Sequence, residues 1–228
     1  MTVAREKNSD EVRQLLTADE RRRPLGHRQA AETLREVFRL GRPHVLKRFT
    51  IPLESRSYRR PWIREHDALA RLDGWHSPRT VGYVEDHDEQ RRIVRYVREY
   101  VSARPIVAID EAVLREMATV LAGFHQRGVV TDDALIQNFM RARDGRMIFI
   151  DMGRARVFGR QGPLLLLAVA LELTKFRRAS LAGDEAQFRA FLDEYTEDSH
   201  LGAGRQAIVR FLVRFLIWQR RIRKGRRT

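Results

Sequence analysis

Cysteine is absent from the 228 residues, which removes disulfides, thiolate zinc sites and a cysteine nucleophile, and agrees with a reducing compartment. Long apolar runs are missing too. The longest, Leu164 to Leu171, falls far short of the roughly 20 residues that span a bilayer and predicts a buried helix instead. The opening residues Met1 to Asp10 carry no apolar core of a secretion signal, so the expected location is the cytoplasm. No internal repeat is present, and low complexity is confined to short arginine clusters such as Arg21-Arg22-Arg23 and the final tail. Acidic residues are the scarce charge, 30 against 44 Lys and Arg, for a net +14 and a pI near 11.1. An anionic partner is expected. Zinc-finger spacings, RNA-reading aromatic motifs and helix-turn-helix pairs are all lacking, so nucleic acid would be bound only nonspecifically and salt-dependently.

The chain does have enough residues, 43% of them hydrophobic, for one sizeable core or two modest lobes, and two lobes fit its patterning best. Its most informative stretch is Phe124-His-Gln-Arg-Gly-Val-Val-Thr-Asp-Asp-Ala-Leu-Ile-Gln-Asn138, followed by Met147-Ile-Phe-Ile-Asp-Met-Gly153. Glu111 to His125 carries Val113, Leu114, Met117, Val120, Leu121 and Phe124 at helical spacing, and Gly128 ends that helix. Asp144-Gly145 reads as a two-residue hairpin turn between Asn138-Phe139-Met140 and Met147-Ile148-Phe149-Ile150. Such a hairpin would return Asn138 toward Asp151.

Asp133, Asn138 and Asp151 would then offer oxygen atoms to one small space. Phosphoryl transfer needs an acceptor hydroxyl positioned, Mg²⁺ held against phosphates and negative charge offset, and hard oxygen ligands suit that cation. An Asp, an Asn five residues later and an Asp before a Gly match the parts kinase-like enzymes use. Singly each has an ordinary reading, as a solvated loop acid, a turn amide or a strand-end Asp; their order and the hairpin between them single them out. A phosphate-binding cation should come from a separate strand, braced by an acid on a neighbouring helix. His44-Val-Leu-Lys-Arg-Phe49 supplies Lys47 within a strand-like run, and the helical stretch Trp62 to Leu72 supplies Glu65.

On these residues the chain resembles the protein-kinase-like superfamily, and within it the small bacterial lipopolysaccharide core sugar kinases, over about residues 33 to 195. The resemblance implies an α+β, compact bilobal protein-kinase-like fold, with a small antiparallel β N-lobe and a mainly helical C-lobe. It implies ATP and Mg²⁺ as cofactors. Lys47 corresponds to the ATP lysine, Glu65 to its helix partner, Glu99-Tyr100-Val101 to the hinge that meets adenine, Asp133 to the catalytic aspartate, and Asn138 and Asp151 to the metal ligands. The expected division is a polar arm or helix over 1–24, an N-lobe over 25–98, a C-lobe over 99–219 and a basic tail over 220–228. The acceptor implied is a hydroxyl of an anionic sugar or glycolipid.

The sequence departs from that family in several places. Thr131-Asp132-Asp133 stands where the family has His-Arg-Asp or His-Gly-Asp, so Asp132 competes for the catalytic assignment, although only Asp133 has the five-residue offset to Asn138. A Gly-rich phosphate loop is missing, and Leu25-Gly26-His27-Arg28 is the segment expected in its place. That loss implies either weaker ATP binding or a pseudokinase that retains only the fold. Arg154 to Gly162 leads directly into Pro163 to Leu173 without a long activation segment or Ala-Pro-Glu, which disfavours a regulated protein kinase and favours a small-molecule, sugar or lipid-linked acceptor. An atypical protein kinase or a soluble small-molecule phosphotransferase remains the alternative.

Ile208 to Lys224 reads as a helix with Arg210, Arg214, Arg221 and Lys224 on one stripe and Val209, Phe211, Leu212, Phe215, Leu216 and Trp218 on the remainder. Two readings stand: the helix packs on the second lobe with only Arg220 to Arg227 in solvent, or it makes peripheral contact with the inner face of an anionic membrane.

Overall fold

A computed structural model describes residues 8–16, 25–30, 33–40, 43–54, 60–159 and 162–225. Alternating side chains in the first half build an antiparallel sheet of five strands in the order β1-β2-β3-β5-β4. They are β1 Gly26–Ala30, β2 Thr33–Leu40, β3 His44–Pro52, β4 Thr80–His87 and β5 Arg91–Glu99. Period-two alternation gives this sheet two buried faces. On one, Phe38, Leu40, Leu46, Val84 and Val97 close on Val12 and Leu16 of helix α1 (Ser9–Leu16). On the other, Phe49, Ile51, Tyr83, Val94 and Tyr96 close on Trp62 of α2 (Pro61–Leu72), whose indole N–H donates to Glu85 Oε1 at 3.0 Å.

The second half is mainly helical. Its elements are β6 (Ala103–Pro105), α3 (Glu111–Gln126), β7 (Val129–Val130), β8 (Phe139–Ala142), β9 (Met147–Phe149), β10 (Arg156–Val157), α4 (Pro163–Ser180), α5 (Glu185–Asp198) and α6 (Ala203–Gly225). Asp110 caps α3 by accepting from the Val113 N–H at 2.8 Å, and Asp184 caps α5 through the Ala186 and Gln187 N–H groups. One core joins α3, α4, α5 and the short strands, and it includes Ala68, Leu69 and Leu72 from α2. The architecture is α+β, with an antiparallel N-terminal lobe and a helical C-terminal lobe, the fold class expected from the sequence.

The α2–β4 connection also ties the two lobes together. Trp75, in the α2–β4 connection, lies so close to Gly123 of α3 that a Cβ there would stand 1.8 Å from the indole, so only glycine admits this docking. The Phe149 N–H donates to the His76 carbonyl at 2.9 Å, and His76 Nδ1 sits 2.7 Å from the Met147 carbonyl.

Two local expectations are corrected. The β8–β9 hairpin is closed by the Ala142 N–H on the Arg146 carbonyl at 2.9 Å, leaving three loop residues rather than two. Gly145, at φ +85°, takes the left-handed position such a loop requires. Gly26-His27-Arg28 is strand, not loop, because β1 pairs with β2 from Gly26↔Val37 to Ala30↔Thr33; the connection at residues 31–32 lies outside the described residues.

Candidate active site

Strand register puts Lys47 on the α2-facing side of the sheet. It pairs with Tyr96 across the β3–β5 ladder, and β2 runs alongside with Arg35 opposite Phe49. Helical spacing in α2 turns Glu65 to the same face as Trp62 and Leu69. Lys47 Nζ donates to both Glu65 oxygens, at 2.5 and 2.7 Å, with only 2% and 1% of the two side chains exposed. Burial pulls the Lys47 ammonium down to about 8, although the Glu65 charge opposes this. The same carboxylate lies 3.3 Å from Arg98 Nε.

Asp151 reaches this cluster from the other lobe. The hairpin returns as expected: Phe139 faces Phe149 and the Ile150 N–H donates to the Asn138 carbonyl at 3.0 Å, so Asn138 and the strand end bearing Asp151 are neighbours. Asp151 Oδ1 accepts from the Gly153 N–H at 3.2 Å, and Oδ2 lies 3.6 Å from Arg35 Nη1. A Cβ on Gly153 would stand 3.3 Å from Asp151 Oδ1 and 3.9 Å from Glu65 Oε2, which ties the two acids to one locus. Burial raises the Asp151 carboxyl, but Lys47 and Arg35 outweigh it and hold the group below its ordinary value.

The catalytic-loop candidate is built on buried polar contacts. Thr131 donates through its hydroxyl to Glu172 of α4, whose other oxygen lies 2.6 Å from His125 Nε2, while His125 Nδ1 lies 2.8 Å from the Tyr195 hydroxyl. All four residues are buried, and burial followed by the Glu172 charge raises the Tyr195 hydroxyl above its ordinary range. The loop then separates the two competing acids. Asp132, at φ +55°, pairs with Arg156 at 2.5 Å. Asp133 instead meets Lys175 Nζ at 2.6 Å and Arg154 Nη1 at 3.5 Å, and its carbonyl accepts from Asn138 Nδ2 at 2.8 Å.

That last bond engages the Asn138 amide nitrogen and leaves its oxygen as the group a cation could use. Among the described residues no three His, Asp or Glu side chains gather as a metal cluster. Asn138 and Asp151 could serve Mg²⁺ as a pair, since that ion commonly takes one or two protein ligands and completes its shell with phosphate oxygens and water.

The segment expected as a hinge continues β5. The Glu99 N–H donates to the Arg79 carbonyl at 2.8 Å and the Tyr100 N–H to the Pro43 carbonyl at 2.5 Å, whereas Val101 forms no backbone–backbone hydrogen bond among the described residues. A cavity of about 360 Å³ touches Glu99, Tyr100 and Val101 together with Gly74, Ser77 and Arg146. Lys47, Asp133, Asn138 and Asp151 do not line it, so it lies apart from the Lys47–Asp151 locus.

Sequence reasoning missed Arg35, Arg98, Lys175 and Arg154. Arg98 could have been found from the alternation Val94, Tyr96, Arg98 on the Lys47-facing side of β5. Lys175 extends the row Leu164, Leu167, Leu171 at three- and four-residue spacing along α4. Those leucines are exposed and lead along one helix face to the residue that holds Asp133.

No protein-family model matches the chain, and no curated protein matches it significantly. Among solved structures, the chain is similar to the bifunctional kinase-methyltransferase WbdD, with a TM-score of 0.42 and 15% identity, over 80% of this chain and 47% of that one. The chain thus spans less than half of that protein's length, and the match is too distant to bear on activity.

Proposed function

We propose that the protein is an ATP- and Mg²⁺-dependent phosphotransferase whose acceptor is a hydroxyl of a lipopolysaccharide core sugar or a similar anionic glycolipid. The observation that carries the reading is the buried Lys47–Glu65 pair directed at the locus of Asp151. A desolvated ammonium held by one carboxylate, beside a second whose proton is easily lost, is an arrangement suited to a metal–polyphosphate ligand. In this reading Lys47 contacts phosphates, Asn138 and Asp151 hold Mg²⁺, which offsets phosphate charge when bound, Val101 and its hinge neighbours meet adenine, and Asp133 orients the acceptor hydroxyl. Lys175, Arg154 and Arg156 surround the acceptor side with positive charge, and the exposed leucine row of α4 offers an apolar part of the acceptor a place beside it. Labelled ATP with core-sugar acceptors, soluble metabolites and proteins tests this; transfer to proteins or soluble metabolites but not to core sugars would remove the acceptor class.

One observation favours a second reading, a non-catalytic pseudokinase. Asp133 is engaged by two cations and Asp151 by Arg35, so both carboxylates already have partners that an acceptor hydroxyl or a metal ion would have to displace. Thermal shifts with nucleotide, with and without Mg²⁺, separate the readings. A Mg²⁺-dependent stabilisation that disappears in Asp151→Ala supports the enzyme, and none in the parent supports the pseudokinase.

A further inference from the structure

Helix α6 has two apolar faces. Val209 and Val213 are buried, and Leu212, Leu216 and Ile217 pack on the C-terminal core, so one face closes on the lobe. Ile208, Phe211, Phe215, Trp218 and Ile222 stay exposed, Phe211 at 66% and Trp218 at 57%. Alternating steps of three and four residues place these five on one stripe. The Phe211 and Phe215 rings stand 6.2 Å apart and Phe215 and Trp218 5.9 Å apart, so the middle of the stripe is a continuous row of aromatic surface. An exposed patch of that kind marks a contact site.

Charge decides the occupant. From Ala203 to Gly225 there is no Asp or Glu, while Arg210, Arg214 and Arg221 share a sector adjoining the aromatic stripe. Arg210 lies 3.0 Å from Asp193 and Arg221 3.7 Å from Glu185, and Arg214 is exposed. A second copy of α6 laid on this stripe would oppose arginine rows with no acid of its own to offset them, and would bury Phe and Trp where two-stranded coils use Ile, Val and Leu. An anionic bilayer supplies hydrocarbon for the rings, phosphate for the guanidinium groups and an interface that suits Trp.

We propose that α6 docks the protein on an anionic lipid surface, its Ile208–Phe211–Phe215–Trp218–Ile222 stripe entering the acyl boundary and Arg210, Arg214 and Arg221 resting among the headgroups. This surface stands independently of the phosphotransfer reading.

The test is co-sedimentation of the full chain with vesicles of phosphatidylcholine alone and of phosphatidylcholine with phosphatidylglycerol. Binding is expected only to the anionic vesicles, weakened by salt, with a blue shift of tryptophan emission that Trp218→Phe removes, since Trp62 is buried and Trp75 is packed between Gly123 and Arg127, away from α6. The triple variant Phe211→Ser, Phe215→Ser, Trp218→Ser, its fold checked by thermal melting, should bind about tenfold or more weakly, and Arg214→Gln about fivefold more weakly. Undiminished binding of the triple variant, equal binding to neutral vesicles, or no binding at all would overturn the proposal. So would a dimer, seen by light scattering, that the triple variant dissolves while the parent ignores vesicles; the stripe would then belong to a second copy.

Discussion

In the N-terminal sheet Lys47 meets Glu65 at 2.5 Å with almost no exposure, whereas at the Thr131–Asp133 loop Lys175 meets Asp133 at 2.6 Å with 29% and 21% of the side chains exposed. The two ion pairs are alike in length and differ in solvation. Charges taken out of water must be fully paired, so losing one partner of the buried pair strands the other at high cost. Water and salt partly screen the second pair, so it adds less to stability and is freer to respond to a ligand. The N-terminal lobe therefore holds Lys47 rigidly, while the C-terminal lobe leaves Asp133 adjustable.

Breaking the buried side should have the largest effect. Glu65→Ala strands both Lys47 and Arg98 and is expected to cost about 3–5 kcal/mol in urea unfolding. Lys47→Met should cost less, because Glu65 keeps Arg98 at 3.3 Å; the reverse order would contradict the shared-carboxylate account. Next comes the buried network under the Thr131–Asp133 loop. Glu172→Ala leaves Thr131 and His125 without their acceptor and should cost about 1–3 kcal/mol, with faster amide exchange at Thr131 to Asp133 as the local readout.

The pH dependence sharpens the same contrast. Lys47 is lowered from 10.5 to about 8, so between these values the unfolded chain holds the extra proton and stability should rise with pH as the cost of the buried charge is relieved. If Lys47 contacts phosphates as proposed, nucleotide binding needs its ammonium and should weaken as pH rises through about 8. Nucleotide titrations and melting curves over this range should thus move in opposite directions, and Lys47→Met should abolish both trends. The smallest stability effect is expected on the partly exposed side: Lys175→Ala should change unfolding by about 1 kcal/mol or less, while lowering the proposed phosphotransfer. A large loss of stability there would erase the distinction between the two ion pairs.

Much of this organisation was legible in the residues because it is local. Apolar periodicity marked α2, α3 and the β8–β9 hairpin, and the five-residue step from Asp133 to Asn138 spans one loop whose ends meet through the Asn138–Asp133 hydrogen bond. The three-residue hairpin loop escaped because Asp144-Gly145 suits more than one turn length, and closure depends on which carbonyl the Ala142 N–H reaches. Arg35, Arg98 and Lys175 escaped because a cation in a chain this basic carries no mark of its own. Register across three strands brings the first two to Lys47, and helix packing brings the third to Asp133.

Helix α6 draws the same line most clearly. Its apolar and basic residues were visible in order, and read together they formed a single hydrophobic remainder. Only packing divides that remainder: Val209 and Val213 enter the core, while Phe211, Phe215 and Trp218 face out. Short-range order follows from backbone periodicity and side-chain type, which are present in the chain as written. Which face is covered, which charge loses its water and which carboxylate shares two cations depend on segments far apart in the chain, and the contacts of the folded lobes settle them.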